Sequence, residues 1–136
     1  MKQVQTVSPQ HVHQVWDSVK HFFEAAIGDS TDYYTIDQLR NALAKGEQDL
    51  LVFTDNNELI GALTVHVHNE PNHRVAHLTI IGGKGVVESE IITQVEAWAK
   101  LQGATKIRAW AKEPQARLYR QRMNLNTTML VVEKTI

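Results

Sequence analysis

Cysteine is absent from the 136-residue chain, which excludes disulfides, thiolate zinc sites and cysteine nucleophiles together and leaves only a histidine/carboxylate site open to metal. The same absence leaves the redox compartment undetermined. Long apolar runs are also missing. None approaches the roughly 18 to 20 residues that a membrane helix needs, and the opening Met-Lys-Gln-Val-Gln is too polar for a signal peptide, so a cytosolic or otherwise soluble protein is expected. A net charge of −1, without the aromatic spacing of RNA-binding modules, argues against nucleic acid. What is present, 43% hydrophobic and 21% charged residues in one domain's length, describes a single folded unit over residues 1–136.

The charge is unevenly placed. Residues 1–70 carry ten acids against four Lys/Arg, whereas residues 71–136 carry five against ten. Lys106, Arg108, Lys112, Arg117, Arg120 and Arg122 crowd one stretch with only Glu113 opposing them. That stretch reads either as a solvated helix face or as a surface for an acidic partner, and the opposed halves permit head-to-tail homo-oligomers.

Ser8-Pro9 offers an N-cap and a first-turn proline, after which Val12, Val15, Trp16, Val19, Phe23 and Ile27 recur at helical spacing up to Gly28. Thr35 and Gln38 form a capping box ahead of a short helix with Leu39 and Leu43. A short strand over Gln3–Val7, a hairpin of Leu50–Phe53 with Leu59–His68, and a third strand after the turn at Asn69-Glu70-Pro71-Asn72 are expected. Pairing His68 with His73 sets Val65 against Ala76 and Leu63 against Leu78. Leu59, Leu63, Val65, Val67, Ala76, Leu78 and Ile80 then share one face, and Thr64, His66, His68, His73, His77 and Thr79 the other. After Ile81 come Gly82-Gly83-Lys84-Gly85, a helix carrying Val87, Ile91, Val95, Trp98 and Ala99, a strand over Thr105–Ala111, a helix from Pro114 to about Met123, and a last strand over Thr127–Thr135. This order predicts a three-layer α/β fold with a mixed central sheet of about six strands and helices on both faces.

A glycine-rich turn entering a helix lets backbone N–H groups converge beside a positive dipole end, a setting that attracts phosphate. The sequence here is neither a Walker A loop nor a dinucleotide fingerprint. The order of elements, with Gly82–Val87 and the later Ala116–Leu125 segment, resembles the GNAT superfamily of acetyl-CoA-dependent N-acetyltransferases over nearly the whole chain. In that family a loop Arg/Gln-x-x-Gly-x-Gly/Ala holds the CoA pyrophosphate through backbone N–H groups. The resemblance therefore implies acetyl-CoA as cofactor, held by Gly82, Gly83, Lys84, Gly85, Val86 and Val87. Gly85 matches the middle glycine, Gly82 stands in the Arg/Gln place, and Val87 stands where a small residue is usual. Glu88 and Glu90 fall close by: turned away from the loop they leave it open to an anion, while a capping Glu88 would fill it.

The resemblance also implies a tyrosine that protonates the leaving CoA thiolate. An ungapped match of Ala116 and Met123-Asn124-Leu125 puts Arg120 at that place, and a shift of one residue puts Tyr119 there; a packed aromatic is the other reading of Tyr119. For the base that takes a proton from the amine, His77 is the titratable residue between His73 and the glycines, alternatively a cross-strand histidine opposite Thr64. His66, His68, His73 and His77 together invite a zinc reading, but no carboxylate or thiolate is clearly placed with them, so no metal is expected. Residues Gly28–Tyr34 read either as a solvated loop or as an acidic, aromatic wall for a cationic amine. The expected function is an acetyl-CoA-dependent N-acetyltransferase-like protein with an eroded cofactor loop, acting on a small amine or peptide amine. The alternative is a non-catalytic structural or interaction protein of the same fold, similar to internal virion components of tailed bacteriophages, with protein partners or copies of itself and a place in the virion.

Overall fold

The computed structural model describes residues 1–28 and 33–136. Strand β1 (Lys2–Val7) leads through a 3₁₀ turn (Pro9–His11) into α1 (Val12–Ile27), followed by α2 (Ile36–Ala44). An antiparallel run of β2 (Asp49–Asp55), β3 (Glu58–Asn69) and β4 (Arg74–Gly83) precedes α3 (Ser89–Leu101), β5 (Lys106–Ala109) and α4 (Glu113–Arg122). The strands lie in sequence order, β1 to β5, and only β4 and β5 are parallel.

Burial of two apolar stripes explains the layers. Val12, Trp16, Val19 and Phe23 of α1 fall at helical spacing and pack with Leu39 and Leu43 of α2 onto Leu50, Val52, Ala62 and Ile80. On the opposite face Ile91, Ile92, Val95 and Ala99 of α3 cover Leu51, Phe53, Leu63, Val65, Ala76 and Leu78, and Tyr119 of α4 with Met123 and Leu125 just after it closes the same core. The Thr35–Gln38 capping box forms as the sequence predicts. Ser8 does not cap with its side chain; its hydroxyl bonds His11 Nδ1 at 2.7 Å.

Four expectations change. The described sheet has five strands, not about six, because residues 124–136 form none. Val87 precedes α3 and does not open it. The β3–β4 register moves by two, pairing His68 with Val75 and Val65 with Leu78, because the turn closes over Glu70–His73, with Glu70 N–H donating to the His73 carbonyl at 2.7 Å. A shift of two preserves faces, so Leu63, Val65, Val67, Ala76 and Leu78 still share one. Leu59 and Ile80 do not join them and pack on the α1 side, since bulges at Phe53/Thr54 and at Thr64/Val65 reverse the alternation beyond them.

Thr79 is the extra residue of the second bulge: Thr64 pairs with Ile80 and Val65 with Leu78. Its hydroxyl lies 2.6 Å from Oε1 of the buried Gln48 and 2.9 Å from the Thr64 carbonyl, so its one proton is shared between these acceptors, and Thr64 Oγ1 is a further hydrogen-bond partner. Replacing this hydroxyl with a methyl of equal size, Thr79→Val, strands the Gln48 acceptor in the core. A loss of about 1 to 3 kcal/mol in urea unfolding is expected, whereas Thr79→Ser, which keeps the donor, loses less.

Candidate functional site

β4 and β5 run together for only four pairs, Val75–Lys106 to Leu78–Ala109. β4 then continues to Gly83 without β5 beside it, and the parting begins at the Thr79 bulge, where a bent strand leaves its neighbour. A cleft of about 270 Å³ opens there, lined by Tyr33, His66, His68, Glu70, His77, Thr79, Arg108 and Trp110. His77 forms its floor and is 7% exposed. Its cross-strand partner is His66, not Thr64, as the shifted register requires. The Trp110 ring stands edge-on to the His77 imidazole at 4.7 Å and faces Tyr33 at 6.3 Å.

Among the described residues neither His77 ring nitrogen has a hydrogen-bond partner in the chain, so both are left to whatever enters the cleft. Burial, with the Arg108 cation next, lowers the His77 pKa to about 4. Arg108 is itself clasped by Glu70, whose carboxylate accepts from both guanidinium nitrogens and from His68 Nε2. Those bonds hold Glu70 down to about 2. His73, grouped with the other histidines from sequence, lies outside the cleft and bonds Thr105 Oγ1 at 3.0 Å. No group of three or more His, Asp or Glu residues among those described is arranged to hold a metal ion.

At the other end of the free β4 segment, the glycines have separable roles. A Cβ on Gly82 would collide with the Phe22 carbonyl of α1, so this glycine serves close strand–helix approach. Gly85 adopts φ +67° and turns the chain towards α3; Lys2 Nζ lies 3.9 Å from where its Cβ would stand and donates to its carbonyl at 2.9 Å. Val86 points inward and is buried, and Val87 packs against the same core, so neither side chain stands over the loop. Glu88 makes no capping bond; it faces Lys2 Nζ at 3.5 Å, while Glu90 accepts the Lys2 N–H at 3.0 Å. The two acids are therefore turned to β1. Among the described residues the N–H groups of Lys84, Gly85, Ser89, Glu90 and Ile91 meet no acceptor in the chain. Tyr119 is half-buried against the α3-side core, where burial raises its pKa.

Sequence reasoning named His77 but not Glu70, Arg108 and Trp110, which line the same cleft; Tyr119 and the glycine loop, named with it, are not among the lining residues. The available signal was the Arg108/Trp110 spacing of two in the strand expected over Thr105–Ala111, which would put both on one face, although β5 itself ends at Ala109. Of the predicted Gly28–Tyr34 wall, Tyr33 lines the cleft, and residues 29–32 lie outside the described residues.

No protein-family model matches the chain, and comparison of its sequence with curated proteins gives no match. Solved structures do match in fold. An aminoglycoside acetyltransferase, meta-AAC0020, from an uncultured soil metagenomic sample is similar with a TM-score of 0.72 at 13% identity, over 99% of this chain and 96% of that one. Aminoglycoside N-acetyltransferase AAC(6')-Iy in complex with CoA gives 0.71 at 12% identity, over 100% and 95%. A ribosomal-protein-alanine N-acetyltransferase from Brucella melitensis biovar Abortus 2308 gives 0.69 at 11%, over 100% and 99%. The chain has the GNAT fold.

The depressed His77 pKa has a signed consequence for stability. In the unfolded chain the group titrates near 6.5, so between about pH 6.5 and 4 the unfolded state binds the extra proton and stability falls as pH falls. The stabilising preference for neutral imidazole is fully present above that window and amounts to roughly 3 kcal/mol at its upper bound. His77→Gln is expected to flatten the dependence of unfolding free energy on pH across this window.

Proposed function

We propose that the protein is an N-acyltransferase that moves the acetyl group of acetyl-CoA to a small amine or peptide amine. The observation that carries this reading is the β4 segment beyond Leu78, paired with β3 on one side but free of β5 on the other, which joins the His77 cleft at one end to the Gly85 turn and the start of α3 at the other. The residues present fit the cofactor: free amides and a helix N-terminus suit a diphosphate, Gly85 lets backbone come close, and the neighbouring carboxylates face Lys2. Acetyl-CoA supplies the acyl group as a thioester open to attack by an amine.

The chain's own groups do the rest. The backbone N–H and C=O groups of Thr79–Gly83 that face away from β3 would orient an extended arm alongside β4, as an added strand would be oriented. His77, neutral at physiological pH, accepts the proton that the nitrogen sheds once it has attacked, when that nitrogen is far more acidic than the free amine. Tyr119, kept protonated by burial, donates to the departing thiolate. Trp110 and Tyr33 wall the acceptor side and suit a cationic amine through their ring faces. The solved relatives of this fold that act on aminoglycosides, and the one complexed with CoA, support an amine acceptor and this cofactor.

Calorimetric titration with acetyl-CoA is the primary test, with saturable binding expected. Absence of heat at millimolar ligand leaves the non-catalytic interaction protein, such as a virion component, as the surviving reading. In an active preparation His77→Gln is expected to lower kcat by about 10² to 10⁴ with acetyl-CoA affinity unchanged. Gly85→Val, which strains a left-handed turn, is expected to weaken acetyl-CoA binding by about tenfold or more.

A further inference from the structure

The first strand of the sheet is tied to α3 in two separate ways. One uses the β1 backbone: Lys2 N–H donates to Glu90 Oε1 at 3.0 Å, Val4 N–H donates to Gln94 Oε1 at 2.9 Å, and Gln94 Nε2 donates to the Lys2 carbonyl at 2.8 Å. These bonds fasten β1 whatever side chain stands at position 2. The other belongs to the Lys2 side chain alone, whose ammonium leaves β1 and reaches the turn ahead of α3.

There it meets two oxygens. Lys2 Nζ donates to the Gly85 carbonyl at 2.9 Å and stands 3.5 Å from Glu88 Oε2. The two side chains are 26% and 30% exposed, so solvent screens the pair only in part. The second Glu88 oxygen, Oε1, is buried and meets no hydrogen-bond partner among the described residues. A carboxylate with one oxygen shut away from water depends on a neighbouring cation for compensation, and Lys2 is the cation paired with it.

The position of that charge matters because of what surrounds it. Glu88 stands at the N-cap of α3, beside the N–H groups of Ser89, Glu90 and Ile91, and the turn adds those of Lys84 and Gly85. An anion drawn to these donors is repelled by Glu88 unless the carboxylate is neutralised. Gly85 is also the residue at φ +67°, and a bond to its carbonyl fixes the plane of the peptide that joins it to Val86. A glycine, free to adopt several conformations, is thereby held in one.

We propose that Lys2 is a positioning residue for the cofactor turn: its ammonium holds the Gly85 carbonyl and neutralises Glu88, which keeps the turn's amides set for a diphosphate. The inference rests on the acyl-transfer reading, since it concerns the same turn. To that reading it adds a residue of the edge strand β1, 83 positions from Gly85 in the sequence. Lys2 acts through Gly85 and Glu88 and needs no contact with the cofactor. A surface ion pair without consequence is the competing reading, and deleting charges one at a time separates the two.

Three forms of the full chain make the test: native, Lys2→Met and Lys2→Met/Glu88→Gln. Methionine keeps the apolar stem of lysine and leaves the backbone ties of β1 in place, so all three are expected to share one far-ultraviolet dichroism spectrum. In calorimetry Lys2→Met is expected to weaken acetyl-CoA binding by about tenfold or more, and the double variant to recover about threefold or more of that loss. In the unliganded protein, nitrogen-15 order parameters of the Lys84 and Gly85 amides are expected to fall in Lys2→Met while those of β2 and β3 stay unchanged. Native-like affinity in Lys2→Met overturns the proposal, as does a double variant that binds no tighter than the single one, or a turn that is no more mobile. Each of these leaves the acyl-transfer reading standing. A native chain that gives no heat at millimolar acetyl-CoA overturns that reading and the proposal with it.

Discussion

The hydroxyl of Thr79, held by the Thr64 carbonyl and the buried Gln48, is the small interaction on which the site depends. It pins an extra residue in β4 at the level where β5 stops, so the strands separate there and the sheet opens without breaking. The candidate site lies along that opening: the histidine at its floor, the aromatic pair at its side, the β4 backbone on the side away from β3, and the glycine turn at its far end. A regular β4 would have kept Ile80 on the face of Leu78 and paired on, leaving no cleft.

The bulge also sorts what could be read from the sequence. Helices were legible because Val12, Trp16, Val19 and Phe23 repeat at helical spacing and Thr35/Gln38 announces a start, local signals that survive tertiary context. The faces of β3 and β4 were legible although the register was misplaced, since an error of two residues leaves every side chain on its own side. The bulge itself was not. No glycine or proline marks Thr79, and its cause is a glutamine thirty-one residues earlier.

The cleft residues were hidden for the same reason. His77 could be found from its place before the glycines, but Glu70, Arg108 and Trp110 come from a turn and a four-residue strand whose nearness to it follows from the crossover through α3. The tail shows the converse case. Thr127–Thr135 has the composition of a strand, yet composition states only a preference, and a strand exists once an edge accepts it. Among the described residues no edge does, so the preference goes unrealised in the single chain.

The contact between Gly82 and Phe22 joins the two ends of the site. Backbone meets backbone there with no side chain between them to yield, so α1 and the turn that enters α3 form a stiff unit. A displacement of α1 would therefore be carried by that contact directly into the turn that precedes α3.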